Sequence, residues 1–283
     1  MITCVPEDAT RQPAIEPLAD RDYFSFSAMR LYQQCPLRYY FKYHLGLPEP
    51  VVSASLLFGS AMHQAIEWHF RELLSGHPAP ETPALLAAYR QAWSTRAGEP
   101  IAFGAVADEQ SLDNLAERLL TKFCDSPYAW PAGQILGVEE TLRGPLVAGL
   151  PDLLGRVDLI VETADELILS DWKTSRSAWN AEQCDQAADQ LCLYAELARE
   201  LVPGKRVRLE FIVLVKTKQV TIEKHTLLAN PDKIARAKRT WEQVWRAIQG
   251  DHFFPVPSVM HCPSCPYHGP CGRWPLEMAQ RAA

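Results

Sequence analysis

Asp158, Asp171 and Lys173 are the residues of this chain best suited to chemistry, and they lie within one stretch, residues 155–174, GRVDLIVETADELILSDWKT. Its first seven residues are apolar-rich and end in β-branched types, residues 162–166 are polar, and LILSDW is apolar again. That pattern predicts two short strands joined by a tight acidic turn. Side chains alternate along a strand, so Asp171 and Lys173 share a face while Trp172 packs on the other. Paired as a hairpin, the strands bring Asp158 to the same place. Two carboxylates and an ammonium suit a divalent metal held by hard oxygens, with the lysine orienting a water or stabilising the negative charge that develops in phosphodiester hydrolysis. An ordinary solvated sheet face is the alternative, but the apolar setting of LILSDW makes an unpaired carboxylate at Asp171 costly.

The flanking segments must position these groups. Residues 23–46, YFSFSAMRLYQQCPLRYYFKYHLG, offer Ser25 and Ser27 as N-caps of a short helix that stops near Cys35, because Pro36 restricts the residue before it. A second helical turn then carries Tyr39, Tyr40, Phe41 and Tyr43 as core aromatics. Residues 56–74, LLFGSAMHQAIEWHFRELL, predict a helix with Ser60 as N-cap, an apolar face of Met62, Ile66 and Phe70, and His63 in its first turn as a candidate imidazole ligand. Residues 78–131 read as a helical insertion covering one side of a substrate groove. Residues 135–146 resume strand-like alternation and carry Glu139 and Glu140, either of which joins the acidic cluster or stays on a surface strand. After Lys173, residues 175–201 predict a helix of about six turns, on which Gln190 and Tyr194, four apart, share a face. RVRLEFIVLVK is the clearest strand, QVTIEKHTLL pairs with it, and an amphipathic helix begins at Pro231.

With 283 residues, 47% hydrophobic and 22% charged, the composition is that of a soluble globular protein. No apolar run approaches the roughly 18 residues of a membrane helix, and no basic-plus-apolar leader opens the sequence, so a cytoplasmic protein is expected. Residues 1–22 read as a flexible lead-in to one domain, residues 23–283. The net charge of −6 does not advertise a nucleic-acid binder, although a carboxylate-rich site is acidic without its metal and phosphate contacts need only a local basic stripe. Arg30, Arg38 and Lys42 form one candidate stripe; Arg236, Lys238 and Arg239 form another. Of the eight cysteines, Cys262, Cys265 and Cys271 cluster as C-x2-C-x5-C in the tail, residues 252–274. Three thiolates leave a tetrahedral site one ligand short, with Cys35, His261 and His268 as candidates for the fourth. Zinc fits such a set, and so does an iron-sulfur cluster.

Taken in order, SFSAMRLYQQCP, FGSAMHQAIE, GRVDLIV, DWKT, QLCLY and the three tail cysteines resemble the RecB-type branch of the PD-(D/E)xK nuclease superfamily, in its iron-sulfur group, which includes the nuclease domain of AddB and the CRISPR-adaptation nucleases. The resemblance spans residues 23–274. It implies an α/β, restriction-endonuclease-like core, with a mixed central sheet flanked by helices and a C-terminal cysteine cluster tied to the N-terminal helix. It further implies that His63, Asp158, Asp171 and the backbone carbonyl of Trp172 bind Mg2+ or Mn2+, that Lys173 positions the attacking water, and that Gln190 and Tyr194 support the site and touch the strand. Cys35, Cys262, Cys265 and Cys271 would hold a structural [4Fe-4S] cluster. Val157 stands where the superfamily's proline is usual, but the branch commonly has Gly-x-x-Asp, which GRVD satisfies. The implied activity is metal-dependent DNA hydrolysis, exonucleolytic, on single strands or ends, in repair, recombination or CRISPR adaptation. With no P-loop G-x4-G-K-[ST] in the sequence, a helicase would be a separate partner. Two alternatives compete: a non-catalytic DNA-binding module of a helicase-nuclease or CRISPR complex, and a zinc-ribbon interaction protein.

Overall fold

Residues 206–215, RVRLEFIVLV, carry apolar side chains in both alternating registers, as a strand covered on both faces must. Val207, Leu209, Phe211, Val213 and Val215 enter one core, while Ile212 and Leu214 enter another. Each large apolar side chain fully buried this way contributes about 1.5–3 kcal/mol. This computed structural model describes residues 22–96, 98–103 and 108–281, so the predicted lead-in lies outside the described residues except for Asp22.

The chain runs β1 (Tyr23–Ser25), α1 (Phe26–Gln34), α2 (Pro36–Tyr39), a wider helical turn (Tyr40–His44), β2 (Val52–Ser53), α3 (Ala54–Leu74), α4 (Thr82–Ser94), β3 (Ile101–Ala102) and α5 (Glu109–Cys124). It continues with β4 (Gln134–Gly144), β5 (Asp152–Glu162), β6 (Glu166–Ser175), α6 (Ala181–Ala198), β7 (Arg206–Val215), β8 (Thr221–Leu228), α7 (Pro231–Gln249) and α8 (His268–Arg281). Strands β2 and β3 form a small parallel pair. The others build a mixed six-stranded sheet: β6 and β7 are parallel, β5 and β6 antiparallel, and β7 and β8 antiparallel. Helices α1, α6 and α7 pack on one face and α3, α4 and α5 on the other, giving the α/β, restriction-endonuclease-like architecture with a mixed central sheet flanked by helices.

Local signals explain most boundaries. Ser25 caps α1 by accepting a hydrogen bond from Ala28 N at 3.2 Å, and the extended backbone of Cys35 before Pro36 ends that helix. The expectation that Ser60 caps the next helix is wrong. α3 begins two turns earlier, after Ser53, so His63 lies in its middle. The helix expected over residues 175–201 starts only at Ala181, because Asn180 and Gln183 form a reciprocal capping box. The tail also contains a helix the sequence reading did not anticipate, α8, and Cys271 lies on it. Two of the three residues of one predicted basic stripe are paired internally, Arg236 with Asp189 and Lys238 with Glu196 across the α6–α7 contact.

Asn180→Ala should cost about 1 kcal/mol of unfolding free energy, as a lost N-cap does, and Asn180→Asp should restore most of it. Urea denaturation of the two variants checks this.

Candidate active site

The site lies where the sheet forks. One edge of β5 is shared by two strands: β1 pairs with Asp152 to Leu154 and β6 with Leu159 to Glu162, leaving residues 155–158 between them. Beyond Ser170, β6 follows β7 alone. The face pattern of β5 changes phase here, because Leu153 and Val157 enter the α6 side of the core whereas Leu159 and Val161 enter the α3 side. Asp158 occupies the break. Its Oδ2 accepts a hydrogen bond from Trp172 N at 2.7 Å, satisfying an amide that β5 no longer pairs. On the other edge of β5, Val138 faces Leu159 and Glu140 faces Val157, which sets Glu139 across from Asp158. Glu139 has φ of 53°, a left-handed conformation that costs a non-glycine residue about 1–3 kcal/mol and collects at functional sites.

These elements bring together most of the residues singled out in the sequence. His63 Nδ1 is 3.5 Å from Asp158 Oδ2, and ligand atoms of His63, Glu139 and Asp158 all lie within 4.8 Å of one another. They border a cavity of about 10 Å³, closed by Ile66, Phe70 and Trp172, with room for about one water-sized body. Trp172 buries its ring against Phe70 and Phe123 on the α3 face, as alternation requires. Asp171 and Lys173 stand beside the trio, with Lys173 Nζ 2.6 Å from Asp171 Oδ2, and Asp171 is outside the three-residue ligand group. Gln190 Nε2 donates to Tyr194 OH at 3.3 Å. The Tyr194 ring lies on the backbone of Gly155, where a Cβ would sit 2.2 Å from Tyr194 Cε1, so the glycine of GRVD is a packing requirement.

The electrostatics favour a bound cation. Burial first, then the neighbouring Asp171, push the Asp158 carboxyl up to about 8, against the pull of Lys173. Burial and Asp158 raise Glu139 to about 7, against Arg156, whose Nε is 2.8 Å from Glu139 Oε2. Burial lowers His63 and favours the neutral imidazole that ligates metals, while the neighbouring Asp171 charge works the other way. Burial also pulls Lys173 down, but Asp171 and Asp158 outweigh it and hold the ammonium charged. One imidazole and two carboxylates around a water-sized cavity fit a divalent cation, whose charge would offset the burial and the mutual repulsion that push both carboxyls up. Glu139 was an open choice in the sequence, and Arg156 and Glu67 were not named there. Arg156 stands two residues before Asp158, and Glu67 stands four after His63 on the same helical face and lines the same cavity, so strand and helix periodicity carried the signal for both.

The cysteines converge elsewhere. Cys35, Cys265 and Cys271 pack around Leu37, Tyr40, Phe41 and Tyr267. The Cys271 thiol is pushed up by burial and then by the charges of Cys35, Cys265 and Cys262. His261 and His268 are exposed. Cys262 Sγ accepts a hydrogen bond from Ser258 N at 3.2 Å.

Fold and site define a restriction-endonuclease-like α/β protein with a carboxylate, histidine and lysine centre at the sheet fork. The family model of the PD-(D/E)XK nuclease superfamily matches residues 23–272, and the chain belongs to that superfamily. Its members are nucleases that use divalent metals, so nucleic acid is the class of substrate. No curated protein sequence matches the chain. Among solved structures, a candidate exonuclease from Eubacterium rectale superposes with a TM-score of 0.58 at 12% identity, covering 93% of this chain and 94% of that one. SSO0001 gives a TM-score of 0.35 at 16% identity, over 84% of this chain and 93% of that one. Rai1 of Scheffersomyces stipitis gives 0.24 at 12% identity, over 81% and 71% respectively. No described helix is long and apolar enough to cross a membrane.

Asp158 and Glu139 keep protons in the metal-free fold at pH values where the unfolded chain, with ordinary carboxyls near 3.8 and 4.5, has released them. Stability of the metal-free protein therefore falls as pH rises from about 4 toward 8. Bound metal opposes that loss, so Mn2+ should raise the melting temperature more at pH 8 than at pH 6, as differential scanning fluorimetry reads directly. Asp158→Asn should melt a few degrees higher than wild type without metal at pH 8 and lose most of the Mn2+ shift.

Proposed function

We propose that this chain is a metal-dependent deoxyribonuclease of the RecB-type branch, an exonuclease acting on single-stranded DNA or DNA ends. The observation that carries the reading is the fork itself, where His63, Glu139 and Asp158 surround a cavity for one ion and the Lys173–Asp171 pair lies alongside. His63, Asp158, Asp171 and the Trp172 backbone are the proposed metal-binding set, and Glu139 joins them. A divalent cation bound there supplies Lewis acidity for phosphodiester hydrolysis. Lys173 stays an ammonium, so its part is to donate: it orients the attacking water and offsets charge on the pentavalent phosphoryl group. The buried Asp171 fixes the lysine in that position. Tyr194, held on Gly155 and pushed up to about 12 by burial and by Asp171, stays a neutral hydroxyl that hydrogen-bonds the strand, with Gln190 fixing its orientation.

Cys35, Cys262, Cys265 and Cys271 are the proposed ligands of a [4Fe-4S] cluster. The same four thiolates would equally hold zinc, the alternative that colour and iron content distinguish. The cluster would join α1 to the tail across more than two hundred residues, where a cross-link removes most chain entropy. A separate helicase or CRISPR-adaptation partner belongs to the same proposal and rests on the branch resemblance.

Protein purified without oxygen should be brown and carry about four irons per chain. With Mn2+ it should degrade end-labelled single-stranded DNA, and Lys173→Ala should lower the rate by at least about 100-fold with its melting temperature retained. A colourless zinc protein removes the cluster. Equal cleavage by wild type and Lys173→Ala removes the assigned site.

A further inference from the structure

Between α1 and α6, above the first half of β5, runs a groove of about 630 Å³ that ends on Tyr194 and Arg156 at the fork. Its polar wall is Ser27, Arg30, Gln34, Arg156, Gln186 and Gln190, and its apolar patches include Phe26 and Leu154. Among the described residues no carboxylate lines it, in a protein with 34 acidic residues and a net charge of −6. Arg156 spends part of its charge on Glu139. Arg30 is exposed, and among the described residues it has no ion-pair or hydrogen-bond partner. Most other arginines around the fold are paired, and so is Lys42 of the same predicted basic stripe, held by Glu49 at 2.6 Å. An unpaired guanidinium, amides and hydroxyls over an acid-free floor form a seat for a polyanion with neutral, planar groups between its charges.

We propose that this α1–α6 groove seats the single DNA strand on one side of the scissile phosphate, with Arg30 gripping a backbone phosphate and Gln34 and Gln186 facing the bases or sugars. The inference rests on the nuclease reading of the fork and deepens it. A groove of ordinary ligand size admits about one or two nucleotides of a single strand and excludes a duplex. Arg30 and Arg156 then hold successive charges of the strand, and the apolar patches take the faces of the bases. The strand is led across Tyr194, which lines the groove and whose hydroxyl is held by Gln190. The polar wall lies on α1, α6 and β5 together, so the groove is preformed by the packing that builds the core.

The test uses the full-length protein carrying Lys173→Ala, in Mg2+, with fluorescein-labelled oligo(dT) followed by anisotropy across a salt series. Adding Arg30→Ala should weaken binding several-fold and flatten the dependence of log affinity on log salt by about 0.7, the value for one phosphate contact on a single strand. Arg30→Lys should keep the slope. Lys122→Ala, on the exposed face of α5, should change neither. A duplex of the same length should bind more weakly and be insensitive to Arg30. Unchanged affinity and slope in Arg30→Ala, an equal loss in Lys122→Ala, or an Arg30-dependent duplex complex would each overturn the groove assignment. Because binding is read in the Lys173→Ala background, cleavage by wild type with no Arg30 effect sinks the groove and leaves the nuclease. An Arg30 effect without cleavage by wild type sinks the nuclease.

Discussion

The hydrogen bond from Trp172 N to Asp158 Oδ2 is the interaction on which the site depends. It stands where a ladder hydrogen bond would continue if β5 and β6 stayed paired, and it exists because they do not. A β-sheet that parts must satisfy the amides it exposes, and here a carboxylate does so. The same parting lets groups from opposite layers meet: His63 comes from α3, while Lys173, paired with Asp171, alternates with Trp172 and so belongs to the other face of β6. Glu139 completes the arrangement through a left-handed backbone that only the packing around it can hold. The metal-free site therefore holds strained backbone beside desolvated acids, and a divalent charge would offset the second of these.

A second constraint acts far from the fork. Three polar contacts stitch the tail to the first helices: Tyr32 OH to His252 O at 2.6 Å, Leu37 N to Phe254 O at 3.0 Å, and Tyr267 OH to Leu47 O at 3.0 Å. They bracket the four cysteines and hold α1 and α2 in place. Since α1 also forms one wall of the groove leading to the fork, the ends of the chain and the candidate active site are mechanically one assembly. On the proposed reading a cluster at this junction has no part in the chemistry and governs the groove instead.

How much of this was legible in the sequence differs residue by residue. Asp158, Asp171 and Lys173 were legible because strand periodicity is rigid, and the hairpin formed with its turn where the polar residues 162–166 placed it. Cys35 was legible because Pro36 marked the helix end. Glu139 was not, because the register of β4 shifts between Ile135 and Gly137, and a bulge defeats any count by twos. Ser60 misled because an N-cap signal is local, whereas the start of α3 is set by Ala54, Leu57 and Phe58 packing into the core on the α3 face of the sheet. The groove was invisible for a different reason: absence of acid along a surface is a property of three elements distant in sequence.

On the proposed reading the fork binds the ion of the reaction through His63, Glu139 and Asp158, with Asp171 and the Trp172 backbone beside them. Anomalous diffraction at the manganese edge from crystals grown with Mn2+ tests it most directly. The expected result is a peak in the cavity between α3 and Trp172, with His63, Glu139 and Asp158 all within ligand distance. A peak held by Asp171 alone, a peak elsewhere on the molecule, or an empty fork at saturating Mn2+ would contradict it.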